Sequence, residues 1–141
     1  MRIVVEHVMR AHAFMRTEMP PEPWNLEADD EPFFRSLGEL IATGLSRGNE
    51  LTDLTLSAAN VTVDASAGGE LPVGDLVAVT IRGRGDWSPE RTWRPGRGDD
   101  PTPFVSSDLE QALAASGAVH AYARQTAPDE GSITVFFERS V

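Results

Sequence analysis

The chain has 141 residues, is 40% hydrophobic and carries 22 acidic against 12 basic residues, a formal net charge of -10. This length and apolar content suit one domain, residues 1–141, whose core needs no disulfide or metal. The sequence has no cysteine and no lysine, which excludes disulfides, thiol catalysis and lysine Schiff-base chemistry. A surface with this much negative charge repels the phosphate backbone of nucleic acids. We therefore expect no nucleic-acid partner.

The first sixteen residues, MRIVVEHVMRAHAFMR, fit two interpretations. Alternate residues form the apolar face of a strand, but 6–16 is also rich in good helix formers. We favour an opening strand that ends at about Val8. Charged residues interrupt this segment, so it lacks the apolar stretch of a signal peptide, and no later stretch approaches the ~20 apolar residues of a membrane span. We expect a cytoplasmic protein with no membrane contact.

A linker and a helix are predicted next. Residues 17–31 contain three prolines within four positions, which indicates a Pro-rich linker. From 32 to 47, apolar side chains recur at three- and four-residue spacing, and acidic residues precede the segment. This pattern predicts a helix with one buried stripe that ends at Gly48.

Two strands follow. Along residues 54–63 the apolar side chains change from even to odd positions: Leu54, Leu56 and Ala58, then Val61 and Val63. Such a change of parity is typical of a β-bulge, which we place near 59–60. Residues 75–82 alternate cleanly between apolar and small or polar side chains, as a half-buried strand does.

The C-terminal third predicts a helix and a hairpin. Residues 106–117 begin with a serine cap and end at a glycine, and two strands, AVHAYARQ and SITVFFERS, flank the turn-rich TAPDEG. The predicted class is therefore α+β: an antiparallel sheet of four to five strands with two main helices in the ferredoxin-like order β-α-β-β-α-β-β. The alternative has an N-terminal helix and two hairpins.

Residues 82–105 form a predicted long loop that concentrates positive charge. Between 82 and 97 there are five arginines against two acidic residues, together with two of the three tryptophans. Arginine and tryptophan are enriched at binding hot spots. We therefore predict a partner-binding surface at Arg84, Trp87, Arg91, Trp93, Arg94 and Arg97. The alternative is a surface connection whose tryptophans pack on the core.

A polar sheet face is the second candidate site. His120, Tyr122 and Arg124 alternate with apolar residues on one strand, and Arg82 has the corresponding position on another. These four residues are candidate ligands for a small anion, with His120 as a possible general base. Ordinary polar alternation on a half-exposed sheet explains the same pattern.

Catalytic and metal-binding motifs are absent from the sequence. His7 and His12 are five residues apart, which is no zinc-ligand spacing, and no G-x-S-x-G or G-x-G-x-x-G segment occurs. We therefore predict no cofactor and no metal, and favour a non-enzymatic protein.

Two functions remain as hypotheses. The first is a non-catalytic module that binds a protein partner or itself. Adjacent Phe136 and Phe137 put an aromatic side chain on both faces of the last strand, which favours a homodimer. The second is a binder of small anions, or an enzyme, that uses the polar sheet face around His120.

Overall fold

The computed structural model describes residues 1–66, 69, 71–87, 90–96 and 104–141. Within these ranges the chain forms eight strands, three α-helices and one 3-10 helix. The elements in chain order are β1 (Arg2–Ile3), α1 (Val5–Ala11), β2 (Arg16–Glu18), β3 (Leu26–Glu27), α2 (Asp30–Ser46), the 3-10 helix (Leu51–Asp53), β4 (Thr55–Val63), β5 (Gly74–Arg84), β6 (Arg91–Trp93), α3 (Ser107–Ser116), β7 (His120–Ala127) and β8 (Glu130–Glu138).

Six of these strands form one sheet in the order β2-β4-β5-β8-β7-β6. β2 pairs with β4 in parallel, and every other pairing in this sheet is antiparallel. The predicted α+β class is confirmed. The ferredoxin-like order is not confirmed, because α1 occupies most of the predicted opening strand and the four long strands, in the order β4-β5-β8-β7, all pair antiparallel.

The two main helices follow the sequence pattern closely. α2 starts two residues before its predicted position and buries Phe33, Leu37 and Leu40 on one stripe. Its Gly44 packs so near the sheet that an added Cβ would lie 2.6 Å from a Leu54 methyl carbon. This close approach brings the end of α2 against the beginning of β4.

α3 has both of its predicted caps. The Leu109 backbone N–H donates to the Ser106 hydroxyl oxygen at 3.1 Å, which satisfies one of the exposed N–H groups of the first turn. Gly117 ends the helix in the left-handed conformation, with φ of 90°, which glycine adopts without steric cost. Contacts between α2 and α3 make the two helices one layer.

The predicted opening strand through Val8 is wrong. Within this segment the strand comprises only Arg2–Ile3, and α1 begins at Val5. The helix buries Val5, Val8 and Met9, which are spaced three and four residues apart and therefore lie on one helical face. Burial of this face in the main core overrides the alternating pattern that favoured a strand.

The Pro-rich segment from 17 to 31 is tied to the sheet at several points. The Trp24 backbone N–H donates to the Asn60 side-chain oxygen at 2.9 Å, and the Arg139 guanidinium lies 4.2 Å from the centre of the indole ring. β3 pairs with β1. The Met1 ammonium group donates a hydrogen bond to Glu27 there, which holds the pKa of that carboxyl below its usual value.

The main sheet has an inner and an outer face. On the inner face, a row of paired residues crosses four strands through Leu56, Ile81, Ile133 and Ala123, and these belong to the main core together with the buried residues of all three helices. On the outer face, the corresponding row is Ala59, Ala78, Phe136 and His120. The helices therefore pack on the inner face.

The bulge predicted near 59–60 is wrong. β4 and β5 pair without interruption from Thr55 opposite Arg82 to Val63 opposite Gly74. The apolar residues change parity because the first half of β4 contributes to the inner face and the second half to the outer face. Leu56 belongs to the inner core, and Val61 packs in a second cluster on the outer face.

The predicted loop 82–105 is partly strand. β5 continues to Arg84, and β6 lies at the sheet edge paired with β7. Residues 88–89 and 97–103 lie outside the described ranges. None of the helices in the described ranges combines the length and the apolar composition of a membrane-spanning helix.

Candidate functional site

The outer face of the sheet is divided into a polar and an apolar region. One row of paired residues, here called the arginine row, consists of Arg16, Thr55, Arg82, Ser132 and Arg124. The next row, here called the hydroxyl row, consists of Glu18, Ser57, Thr80, Thr134, Tyr122 and Thr92. Paired residues point to the same side of a sheet, so both rows lie on the outer face.

The apolar region, here called the outer patch, centres on three buried residues, Leu76, Ala78 and Phe136. The residues packed around them are Val61, Val63, Leu71, Val119 and Tyr122. All of these belong to strands or loops, and no helix residue of the described ranges takes part. The outer patch therefore stands apart from the helical layer.

His120 lies inside this outer surface. Its side chain is buried, and its ring centre is 6.0 Å from that of Phe136 and 6.4 Å from that of Tyr122. The Arg124 guanidinium covers the Tyr122 ring at 3.9 Å. The structure thus places His120, Tyr122, Arg124 and Arg82 on one face, as the alternation predicts, but aromatic packing encloses the imidazole.

The arginines at the end of this face have distant acidic neighbours. Arg82 lies 3.7 Å from Glu18 and 3.6 Å from Glu130. Arg84 is 3.8 Å from Asp53 and 3.9 Å from Asp129. These N···O distances exceed the roughly 2.7–2.9 Å of a charge-assisted hydrogen bond, so the pairs are electrostatic contacts only.

A cleft of about 320 Å³ opens at the same place. Its lining joins the 3-10 helix to the ends of β4 and β5 and consists of Arg16, Thr52, Asp53, Thr55, Arg82, Gly83, Arg84 and Glu130. Arg16 makes no ion pair within the described part of the chain. Sequence analysis did not single out Arg16, because this residue reaches the arginine row through a three-residue parallel strand.

Trp87 is a core residue. Only 3% of its surface is exposed, and an added Cβ on Gly131 would lie 2.2 Å from the indole Cγ. The indole N–H donates to the Arg84 carbonyl oxygen at 3.0 Å, and the Trp87 backbone N–H donates to the Gln125 side-chain oxygen at 2.7 Å. The glycine leaves the space that the tryptophan fills, which the sequence pattern did not reveal.

The other members of the predicted partner-binding surface are dispersed. Trp93 is buried in the same core, and the Arg91 guanidinium donates to the Phe104 carbonyl oxygen at 3.2 Å. Arg84 and Arg94 are exposed, whereas Arg97 lies outside the described residues. The two tryptophans therefore pack on the core, as the alternative interpretation of this segment expects. Partner binding by the exposed arginines stays a prediction.

Asn49 is a structural residue that sequence analysis missed. It is buried, and its amide donates to the carbonyl oxygens of Gly44 and Arg84 at 3.0 and 2.9 Å. Its side-chain oxygen accepts from the Arg84 backbone N–H at 2.8 Å. Asn49 therefore fastens the end of α2 to the end of β5, next to the cleft.

The remaining histidines do not form a site in the described residues. His7 is exposed, and the His12 Nδ1 lies 2.8 Å from the Val8 carbonyl oxygen. No group of three or more histidines or carboxylates in the described ranges is placed to hold a metal ion.

Comparison with known proteins gives a likeness of fold. No protein-family model matches the sequence, and no curated protein matches it either. Among solved structures, the chain is similar to a mycobacterial sensor histidine kinase, MprB, with a TM-score of 0.50 and 14% sequence identity. The similarity covers 96% of this chain and 91% of that chain. At this identity the likeness concerns the fold alone.

Proposed function

We propose that the protein is a non-catalytic interaction domain that self-associates through the outer face of its sheet. One observation carries the proposal: the outer patch is an apolar cluster on a sheet face to which no helix of the described residues contributes. Leu76, Ala78 and Phe136 are already buried within the chain, and the partly exposed apolar residues around them are the surface that a second molecule would cover.

Charge selects a second copy of this chain as the partner. The outer-face residues of the six strands carry four arginines and three glutamates, a formal balance of +1 in a chain of net charge -10. The residues that make up this balance are Arg16, Arg82, Arg84, Arg124, Glu18, Glu130 and Glu138. Two molecules of net charge -10 repel each other, and contact through a face of nearly balanced charge adds little to that repulsion.

The area of the outer face is large enough for a protein–protein interface of ordinary size. Six strands spaced ~4.8 Å apart span about 24 Å, and a nine-residue strand spans about 30 Å. The planar area is therefore at most about 700 Å², close to the ~800 Å² per partner of an ordinary stable interface. A two-fold contact of this type places the outer patch of one copy on that of the other.

The environment of His120 supports a non-catalytic function. A general base needs a side chain that reaches the substrate, and aromatic rings enclose this imidazole. The likeness to a sensor histidine kinase is a likeness of fold, so the proposal is based on the outer face rather than on that protein's activity.

The experiment compares two identical substitutions at exposed alanines on opposite layers. Ala59→Glu puts a carboxylate on the outer face, and Ala42→Glu puts one on the solvent side of α2. Sedimentation velocity of the wild type should show a concentration-dependent dimer that Ala59→Glu abolishes and Ala42→Glu leaves unchanged. A wild type that stays monomeric at every concentration, or equal effects of both variants, would contradict the proposal.

A further inference from the structure

The arginine row forms two similar arrangements on the outer face. In each, two arginines on alternate strands flank a buried hydroxyl residue: Arg16 and Arg82 flank Thr55, and Arg82 and Arg124 flank Ser132. The flanking residues are two strand spacings apart, about 10 Å between backbones. Arginine side chains are long enough to converge from that distance on one group above the hydroxyl.

The Arg16–Thr55–Arg82 arrangement has the more suitable surroundings, because it lines the 320 Å³ cleft. A cleft of this volume is at the lower end of the range for small-molecule sites. The cleft lining holds three arginines against two carboxylates, Asp53 and Glu130. It is therefore locally positive on a strongly acidic protein.

Among the residues that the structure describes, no acceptor lies within hydrogen-bond distance of the cleft guanidinium groups. Both carboxylates near Arg82 lie beyond hydrogen-bond distance, and Arg16 makes no ion pair within the described ranges. Each guanidinium presents a rigid fork of N–H donors. Two forks and a hydroxyl offer more donors than the two oxygens of a carboxylate accept, whereas the three oxygens of a phosphate monoester match them.

We propose that this cleft binds a phosphate group of a small molecule, held by Arg16 and Arg82 above Thr55. Arg84 adds positive charge from the neighbouring row. Glu18, which lies 3.7 Å from Arg82, opposes binding, because it repels the anion and attracts the same guanidinium. The cleft lies at the end of the same outer face, two rows of paired residues from Ala78 and Phe136 of the outer patch, and phosphate binding there does not require self-association.

The first test is calorimetric titration with inorganic phosphate, with acetate and chloride as comparison anions at equal ionic strength. Phosphate should bind in a saturable manner and acetate should not. Arg16→Gln and Arg82→Gln should each weaken phosphate binding about tenfold or more, the usual effect of losing hydrogen bonds to a charged group. Arg35→Gln, at an exposed arginine of α2 that pairs with Glu31, should leave it unchanged.

The second test uses a substitution that should strengthen phosphate binding. Glu18→Gln should strengthen phosphate binding, because it removes the competing carboxylate. Each variant should keep the wild-type urea midpoint, since Arg16 and Glu18 are exposed and the half-buried Arg82 makes ion pairs only beyond hydrogen-bond distance. A uniform response to all three anions, or phosphate binding that is the same in Arg16→Gln and Arg35→Gln, would overturn the proposal.

Repeating the titration on Ala59→Glu separates the two proposals. If phosphate binds this variant as it binds the wild type, the cleft is a site of the single chain. If phosphate binding disappears together with self-association, the cleft is not an independent site and this inference is overturned, whereas the proposed function is not.

Discussion

Phe136 and Phe137 are neighbours in β8 whose rings lie on opposite faces of the same sheet. The Phe137 ring packs edge-on against Phe33 of α2 at 5.3 Å, and the Phe136 ring lies 5.6 Å from that of Tyr122. One peptide bond therefore separates the helical core from the outer patch. This relationship underlies the proposed function, because the sheet is apolar on both sides while helices pack on one.

Phe137 should be essential for stability. We expect Phe137→Ala to lower the free energy of unfolding by about 3–5 kcal/mol, because it leaves a cavity between the sheet and α2. Urea denaturation followed by circular dichroism measures this loss. Phe34→Ala is the control, since that ring is 43% exposed and its loss should cost well under 1 kcal/mol. Equal effects of the two substitutions would contradict the assignment of Phe137 to the core.

Gly131 should tolerate no side chain. In Gly131→Ala the new methyl group would meet the Trp87 Cβ and Cγ, which cannot move without the backbone. We expect a loss of about 1–3 kcal/mol, the usual range for an overpacked core, and an altered tryptophan fluorescence spectrum. Gly38→Ala, in open space on α2, should instead stabilise the protein by up to about 1 kcal/mol. If Gly131→Ala left the free energy of unfolding unchanged, Trp87 would not pack against Gly131 as described.

Asn49 should contribute more to the stability of the fold than a polar residue on the surface does. Asn49→Ala removes one hydrogen bond each from the Gly44 and Arg84 carbonyl oxygens, which keep other donors, and removes the side-chain acceptor of the Arg84 backbone N–H near the cleft. We expect it to destabilise the protein by about 2–3 kcal/mol, because buried polar groups lose their hydrogen bonds. Asn25→Ala, whose side chain makes no hydrogen bond within the described residues, should have little effect. Thermal unfolding of both variants checks the difference, and similar midpoints would contradict it.

Loss of the N-terminal cap of α3 should lower the stability by a smaller amount. Ser106→Ala removes the acceptor of the Leu109 N–H and should cost about 1 kcal/mol. Ser107→Ala, one residue further and exposed, should change stability far less. Urea midpoints of the two variants provide the comparison, and an effect of the same size in both would indicate that the cap hydrogen bond contributes nothing.

The sequence predicted those elements in which local pattern and tertiary packing agree. α2 and α3 have regular apolar spacing and end at glycines, and β5 alternates cleanly, so their positions were found within two residues. α1 was mistaken for a strand because a seven-residue helix contains too little repetition to exclude alternation.

The candidate site was predictable only in part. Alternation placed His120, Tyr122 and Arg124 on one face, since it depends only on the strand period. The burial of Trp87 depends on the space beside Gly131, and Arg16 joins the arginine row by pairing with β4. Both relationships connect distant parts of the chain, which a local sequence pattern does not record.

The most direct test of self-association is a distance measured between two copies. The chain has no cysteine, so one introduced cysteine carries a single spin label. Labels at Thr92→Cys, on the outer face at the edge strand β6, and, separately, at Ala42→Cys can be compared by double electron–electron resonance. Contact through the outer face predicts a defined distance between copies at residue 92 and a clearly longer one at residue 42. A shorter distance at residue 42, or no dipolar coupling at residue 92, would contradict the account.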